Sequence, residues 1–342
     1  APMKKQGGKL VPTTWDDAAK IAGDALRKAG ANAGVIASGS LTNEEAFALQ
    51  SLARDVVGSA NIDTPASAYA GGLISALHTV YGDAGVTIAS QAELKSADCV
   101  VVIGSDASQK KQSLQEVDVM IRRRAQAGAK VIVVNPGKTD IASHQNAIHL
   151  QLKEGTDTVL LAGLMSAAIA EGAAAAAKGL DALKKSLVTV DQAASGSGVT
   201  AEQIANAAKA YAAAKQPVVV IGTGISANEE ASLQALNLAM LRSAGVLPLM
   251  LEANSLGAIQ IGGVSDREPG HTKAKKAGKG YADMKSGMKA LYIAGNVPDS
   301  DFKSDFIIVQ TSHLTPLAQK ADLVLPMAAL YEKQVTIVNT IG

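Results

Sequence analysis

Cysteine is the first shortage: one residue in 342, Cys99, and it lies inside a run of apolar residues. A single cysteine excludes a disulfide framework and a thiolate metal site, and it suits a reducing compartment. Aromatics make up only 3% of the chain against 47% hydrophobic residues, so the core is built from Ala, Val, Leu and Ile, as α/β layers are. A formal charge of +1, with no basic stripe interleaved with aromatics, gives no basis for nucleic-acid binding. No apolar run reaches the length of a membrane span; Leu160 to Ala177 comes closest and is broken by Glu171 and Gly172. The chain opens Ala-Pro-Met without a signal-like region, and direct membrane insertion is not expected.

What is present is organised around Ala97 to Leu161. Cys99 to Ile103 and Val131 to Val134 are short, β-branched and uninterrupted, which is how strands covered on both faces of a parallel sheet read. Between them Val117, Met120, Ile121 and Ala125 recur at helical spacing, and Gly128 supplies a stop. The stretch is therefore a β–α–β unit whose loops fall at the carboxyl edge of a sheet, where open α/β sheets bind ligands. Upstream, Lys4 to Pro12 reads as an extended lead-in, and Thr14 caps a helix over Trp15 to Lys28. Gly34 to Ser38 is a strand, and Thr42 with Glu45 forms a capping box for a helix to Val57. Thr64 to Gly72 reads as a small-residue loop, and Leu73 to Ala92 shows no clean pattern. Downstream, Gly155-Thr156-Asp157 opens an apolar helix ending near Glu171. Ala173 to Ala214 is read as helical with a break at Ser195 to Gly198 and a capped restart at Thr200. Strands follow at Pro217 to Ile221, Leu247 to Leu251, Lys289 to Ile293, Phe306 to Val309 and Leu323 to Leu325, with a helix over Asn228 to Ala244. Glu252 to Gly280 is irregular and too long for an ordinary connector. The expected fold is α/β: two doubly wound Rossmann-like domains with mostly parallel sheets. Residues 1–66 plus 215–326 form one, 67–214 form an inserted second, and 327–342 form a strap containing the β-rich run Val335 to Asn339.

Several motifs come close to a known chemistry. Gly137-Lys138-Thr139 resembles the end of a phosphate loop, but the required earlier glycine is Ile132. Gly222-Thr223-Gly224 follows a strand and precedes a helix, with Ala227 in place of a third glycine. It is either a pyrophosphate cradle or a plain turn. His78, His144, His149, His271 and His313 do not pair at metal spacing. Arg122-Arg123-Arg124, near a helix C-terminus, either grips an anion or complements the helix dipole. Neither an acyl-nucleophile elbow nor a zinc-protease motif occurs. The strand, Gly-x-Gly and helix of Val218 to Ala244 also suit a thiamine-diphosphate enzyme, but Gly82-Asp83-Ala84 is no magnesium motif.

Taken in order, TTWDDAAKIAGDAL, SGSLTNEEAFALQSLARDVVGSANID, SADCVVVIGSD, GAKVIVVNPGKTD, LKEGTDTVLLAGL, PVVVIGTGISANEEASLQALNLAMLRSAG and ADLVLPMAALYEKQVTIVNTIG resemble the molybdopterin oxidoreductase superfamily over nearly the whole chain. Within it, LEANSLGAIQIGGV and EKQVTIVNTIG look most like the large iron–sulfur subunit of bacterial NADH:quinone oxidoreductase, complex I. The resemblance implies two pterin guanine dinucleotides between two α/β domains. The loops at Gly104, Ser105, Asp106, at Asn135, Pro136, Gly137, at Gly155, Thr156, Asp157 and at Gly222, Gly224 would help to hold them, with Asp157 reading a guanine. It puts Tyr69, with Ser67 two residues earlier, where the family has its sulfur, selenium or serine metal ligand. A catalytic metal is then not expected, since molybdenum and tungsten favour soft ligands. The expectation is an excised, non-catalytic piece of a complex I subunit in the cytoplasm, at the inner face of the membrane. It would carry no cofactor itself and support NADH-to-quinone electron transfer through iron–sulfur clusters of its own N-terminal domains and neighbouring peripheral-arm subunits. Glu252 to Gly280 and Met327 to Gly342 would pack on those domains. The enzyme alternative is a formate dehydrogenase-like catalytic subunit binding molybdopterin guanine dinucleotide.

Overall fold

The computed structural model describes residues 1–80, 86–106, 114–173, 179–299 and 301–342, and Gly82-Asp83-Ala84 lies outside them. Strands β1 (Met3–Gln6), β2 (Lys9–Pro12), β3 (Ala33–Ala37) and β4 (Ile62–Asp63) come first. They are followed by β5 (Cys99–Ile103), β6 (Lys130–Val134), β7 (Ala147–Leu150), β8 (Pro217–Ile221) and β9 (Gly245–Pro248), then by β10 (Ala290–Ala294), β11 (Ile307–Thr311) and β12 (Leu323–Pro326). The chain forms two compact units, Ala1–Ala68 with Glu252–Asn339 and Tyr69–Leu251 with Thr340–Gly342, the second inserted in the sequence of the first.

The first unit carries a seven-stranded sheet in the order β2-β1-β12-β11-β10-β3-β4. From β12 to β4 every neighbouring pair is parallel. The expected lead-in is instead a hairpin: β1 and β2 pair antiparallel across Gly7-Gly8, both at positive φ (56° and 79°), and β1 pairs antiparallel with β12. Two successive residues at positive φ make the tight turn whose twist suits a hairpin, and glycine adopts it without strain. The Trp15–Ala29 helix is capped by Thr14, and Asn43–Ser51 by the Thr42–Glu45 capping box, as their sequences predict; the second helix continues as a π-turn over Leu52–Val57.

The second unit holds an all-parallel sheet, β7-β6-β5-β8-β9. Expectation and structure differ here. Sequence order suggests that β8 and β9 join the first sheet, and the division at 215 follows from that. Hydrogen bonding pairs β8 with β5 over Cys99–Ile103 and Pro217–Ile221 instead. Both sheets offer fully buried β-branched strands, so composition cannot tell which neighbour a strand takes. All five residues of β5 and of β8 are buried. Thr64 to Gly72 is not a plain loop either: a helix runs Ser67–Val80, irregular at Ala70. The Asp157–Ala170 helix is buried nearly all round, and a Cβ on Gly163 would lie 2.1 Å from the Ala193 side chain, so only glycine permits this helix contact.

The alanine-rich region resolves into helices Leu180–Ser186, Val190–Ser197 and Ala201–Ala212, the break falling at Gly198 (φ 80°). The last begins with a full capping box: Gln203 N donates to Thr200 Oγ1 (3.2 Å) and Thr200 N to Gln203 Oε1 (3.1 Å). Thr200→Ala is expected to cost about 1 kcal/mol, read as a small fall in denaturation midpoint with an unchanged circular dichroism spectrum. Val335 to Asn339 is not a strand. It is tied to helix starts, with Asn43 N donating to Thr336 O (2.8 Å) and Val338 N to Asn254 Oδ1 (2.7 Å). The irregular stretch after Glu252 is held within the first unit by Arg54, whose guanidinium donates to the carbonyls of Gly262, Val264 and Arg267 at 2.6–2.9 Å.

Candidate functional site

In a parallel sheet every strand delivers its following loop to one edge, and in the second unit that edge collects the loops after β5, β6, β7 and β8. The eleven residues singled out above, Gly104 to Asp106, Asn135 to Gly137, Gly155 to Asp157, Gly222 and Gly224, all lie in these loops or at the helix starts that follow them.

The loops after β5 and β8 are in direct backbone contact. Gly222 N donates to Ile103 O (2.8 Å) and Gly224 N to Gly104 O (2.9 Å). A Cβ on Gly222 would sit 2.3 Å from Gly104 O and 2.5 Å from Ser105 Cβ; one on Gly224 would sit 2.7 Å from Gly104 O. Gly104 has φ 60° and packs against Ile225. These glycines therefore exist first for close approach of the two loops, and the amides of Gly222 and Gly224 already have carbonyl partners. Beside them Ser105 is buried, and its Oγ has no hydrogen-bond partner among the described residues. A buried hydroxyl without a partner is costly, so it marks a place where another polar group fits.

The loop after β6 is pinned from β7: the His149 ring nitrogen Nε2 meets Asn135 O (3.1 Å) and Gln151 Nε2 donates to Pro136 O (3.0 Å). Asn135 Nδ2 turns back onto Gly137 O (3.0 Å). Sequence reasoning passed over His149 and Gln151 as positioning residues. Their spacing of two, which puts both on one face of an extended chain, was the available signal. Gly155 (φ 79°) has open space where a side chain would be, and Thr156 Oγ1 donates to Lys153 O at 2.5 Å. Asp157 begins the next helix, half-buried, and its carboxyl is raised above the ordinary range by burial.

The remaining motifs resolve as packing. Lys138 is exposed, while Thr139 is buried and caps the turn at Ala142 (3.1 Å). Arg122 pairs with Asp118 (2.8 Å) on its own helix and with Asp140 (3.4 Å), and Arg124 Nε donates to Ala97 O (2.8 Å), which is the helix-terminus reading of the arginine run. Cys99 lies buried inside β5, and burial pushes its thiol up to about 12. Tyr69 Oη accepts the Leu251 amide (3.0 Å), and Ser67 Oγ donates to Asp63 Oδ1 (2.6 Å).

A family model for molybdopterin oxidoreductases matches residues 1–342. The chain belongs to the molybdopterin oxidoreductase family. It is 30% identical over 391 residues to an F420-dependent formate dehydrogenase 1 subunit alpha from Methanococcus maripaludis, and 28% identical over 387 residues to the F420-dependent formate dehydrogenase subunit alpha of Methanocaldococcus jannaschii. Each match takes in 99% of this chain and 57% of the relative, so the chain spans a little over half of their length. Formate dehydrogenase H of Escherichia coli is 28% identical over 170 residues, 46% of this chain and 22% of that protein. The fold is similar to acetylene hydratase from Pelobacter acetylenicus, with a TM-score of 0.74, 18% identity, and coverage of 98% of this chain and 55% of that one. The broad resemblance is thus established as membership. The narrower likeness to complex I finds no support in these relatives, which carry formate dehydrogenase names, and neither do NADH and quinone.

The family's pterin dinucleotide can be tested against this edge. Ser105 offers a buried hydroxyl without a partner among the described residues, Gly155 leaves open space, and Asp157 presents a carboxyl at the same edge, so the residues fit a polar, guanine-bearing ligand. The family's protein ligand to a metal does not fit. Tyr69 is a hard phenol oxygen already engaged by an amide, and the Ser67 hydroxyl is engaged by Asp63. Among the described residues no helix is long and apolar enough to cross a membrane.

Proposed function

We propose that this chain is the pterin-dinucleotide-holding part of a formate dehydrogenase-like oxidoreductase subunit. The observation that supports it most is the Ser105 hydroxyl, without a partner among the described residues and buried at the carboxyl edge of the second sheet, in a chain related over 99% of its own length to formate dehydrogenase alpha subunits. When bound, a metal pterin supplies two-electron redox chemistry. The protein's part is to bind and orient. Ser105 donates to or accepts from the dinucleotide, and Asp157 accepts the paired N–H groups of a guanine. The Gly222 and Gly224 contacts hold the two loops at the spacing this requires.

Tyr69 favours a second reading, in which the dinucleotide is held but no catalytic metal is anchored by the protein. One preparation tests both. The full-length protein, purified without oxygen, is expected to release a fluorescent oxidised pterin and GMP on acid treatment; a protein free of both sinks the proposal. Stoichiometric molybdenum or tungsten together with formate-dependent dye reduction selects the enzyme, and pterin without either selects the holder.

A further inference from the structure

The first unit has a carboxyl edge of its own, and it is built differently. Strand β3 ends in Ser38-Gly39-Ser40 and leads to the Asn43–Ser51 helix, a strand, glycine and helix order suited to receiving an anion. Here the anion is internal. Ser38 Oγ donates to Glu252 Oε1 (2.7 Å), Gly39 N to Glu252 Oε2 (3.2 Å), and Ser255 Oγ lies 3.5 Å from the same oxygen. The neighbouring loop after β10 is drawn into the same knot: Asn296 N donates to Ser40 Oγ (2.7 Å), and Ser38 Oγ also lies 2.7 Å from Asn296 O.

The two loops are packed closely on each other. A Cβ on Gly39 would meet Ser255 Oγ at 2.5 Å, and one on Gly295 would meet Ser40 Oγ at 2.7 Å and Ser38 Cβ at 2.8 Å. Burial raises the Glu252 carboxyl, opposed by the donors Ser38 and Gly39; in either protonation state that hydroxyl and that amide are engaged. Among the described residues Glu252 forms no ion pair with Lys or Arg. When ionised, it meets an incoming phosphate as an uncompensated like charge.

We infer that Glu252 fills the first sheet's edge from within, so that the chain takes one pterin dinucleotide, at the second sheet, and not the two that its family membership implies. This rests on the proposed function, and the count separates the two. Acid-released GMP per chain in the full-length anaerobic protein is expected to be one equivalent. Two equivalents would overturn the inference and leave the proposed function standing; none would overturn the proposed function and the inference with it. Two variants then locate the single equivalent. Glu252→Gln, which keeps the side-chain shape, is expected to retain it, and Asp157→Ala to lose it, with both checked for native circular dichroism. Retention in Asp157→Ala with loss in Glu252→Gln would put the dinucleotide at the first sheet and overturn the inference. Should either variant fail to fold, the GMP count of the unmodified protein still decides.

Discussion

Gly222→Ala is expected to abolish retention of the dinucleotide and to destabilise the second unit by about 1–3 kcal/mol, the usual cost of forcing a methyl group into closed packing. The added Cβ would fall 2.3 Å from Gly104 O, a backbone atom that no rotamer change can move aside. The Gly222 amide also donates to Ile103 O, so relief by shifting the loop lengthens that bond and displaces Ser105. Gly128→Ala is the matching control. Gly128 has φ 95°, and a methyl group added there would have nothing within 4 Å, so its cost is backbone strain alone and the dinucleotide should stay. Thermal denaturation and GMP content of the two variants, side by side, give the answer. Full GMP content in Gly222→Ala would remove the β5 and β8 loops from the binding site.

Asp63→Asn is expected to flatten the pH dependence of stability on the acid side. Asp63 is buried and accepts from Thr64 N (2.8 Å), Ser67 Oγ (2.6 Å) and Tyr281 N (2.6 Å). Burial outweighs these three donors and pushes the carboxyl up to about 6 from 3.8. A raised folded pKa means that the native state holds the proton more tightly than the unfolded chain. The group's stabilising contribution is therefore present below about pH 4 and is lost as pH rises through about 6. From about pH 4 to about pH 8 the loss amounts to about 2–3 kcal/mol. Asparagine cannot titrate and presents its amide nitrogen to the Tyr281 N–H, which adds a pH-independent cost of about 1–3 kcal/mol. Urea midpoints of both proteins across this range isolate the difference. Parallel curves for the two proteins would show that Asp63 carries its ordinary carboxylate pKa.

The secondary structure was legible where local chemistry decides it. Thr42 with Glu45 and Thr200 with Gln203 announce helix starts because each pair satisfies two amides at the first turn through residues three apart. Cys99 to Ile103 and Pro217 to Ile221 announce buried strands because only a strand covered on both faces tolerates unbroken β-branched residues. The loops after β5 and β6 were also legible as one edge, since parallel strands deliver their following loops to the same side, but Gly222 and Gly224 follow β8, which the sequence assigns to the other sheet.

Sheet membership was not legible. Placing β8 beside β5 depends on a hydrogen-bonded register between segments more than a hundred residues apart, and a Val-rich strand carries no address for its neighbour. Nor could the sequence tell what its glycines were for: Gly222 and Gly224 read as a phosphate cradle or, more readily, a plain turn, and only the folded chain shows them pressed on Gly104. The same holds for Glu252, which looked like one acid in an irregular stretch. By itself the sequence determined the α/β layers, the buried central strands and the family. The tertiary structure decided which strands share a sheet and which polar groups at each edge are already partnered. Those depend on distances across the chain, and local composition does not encode them.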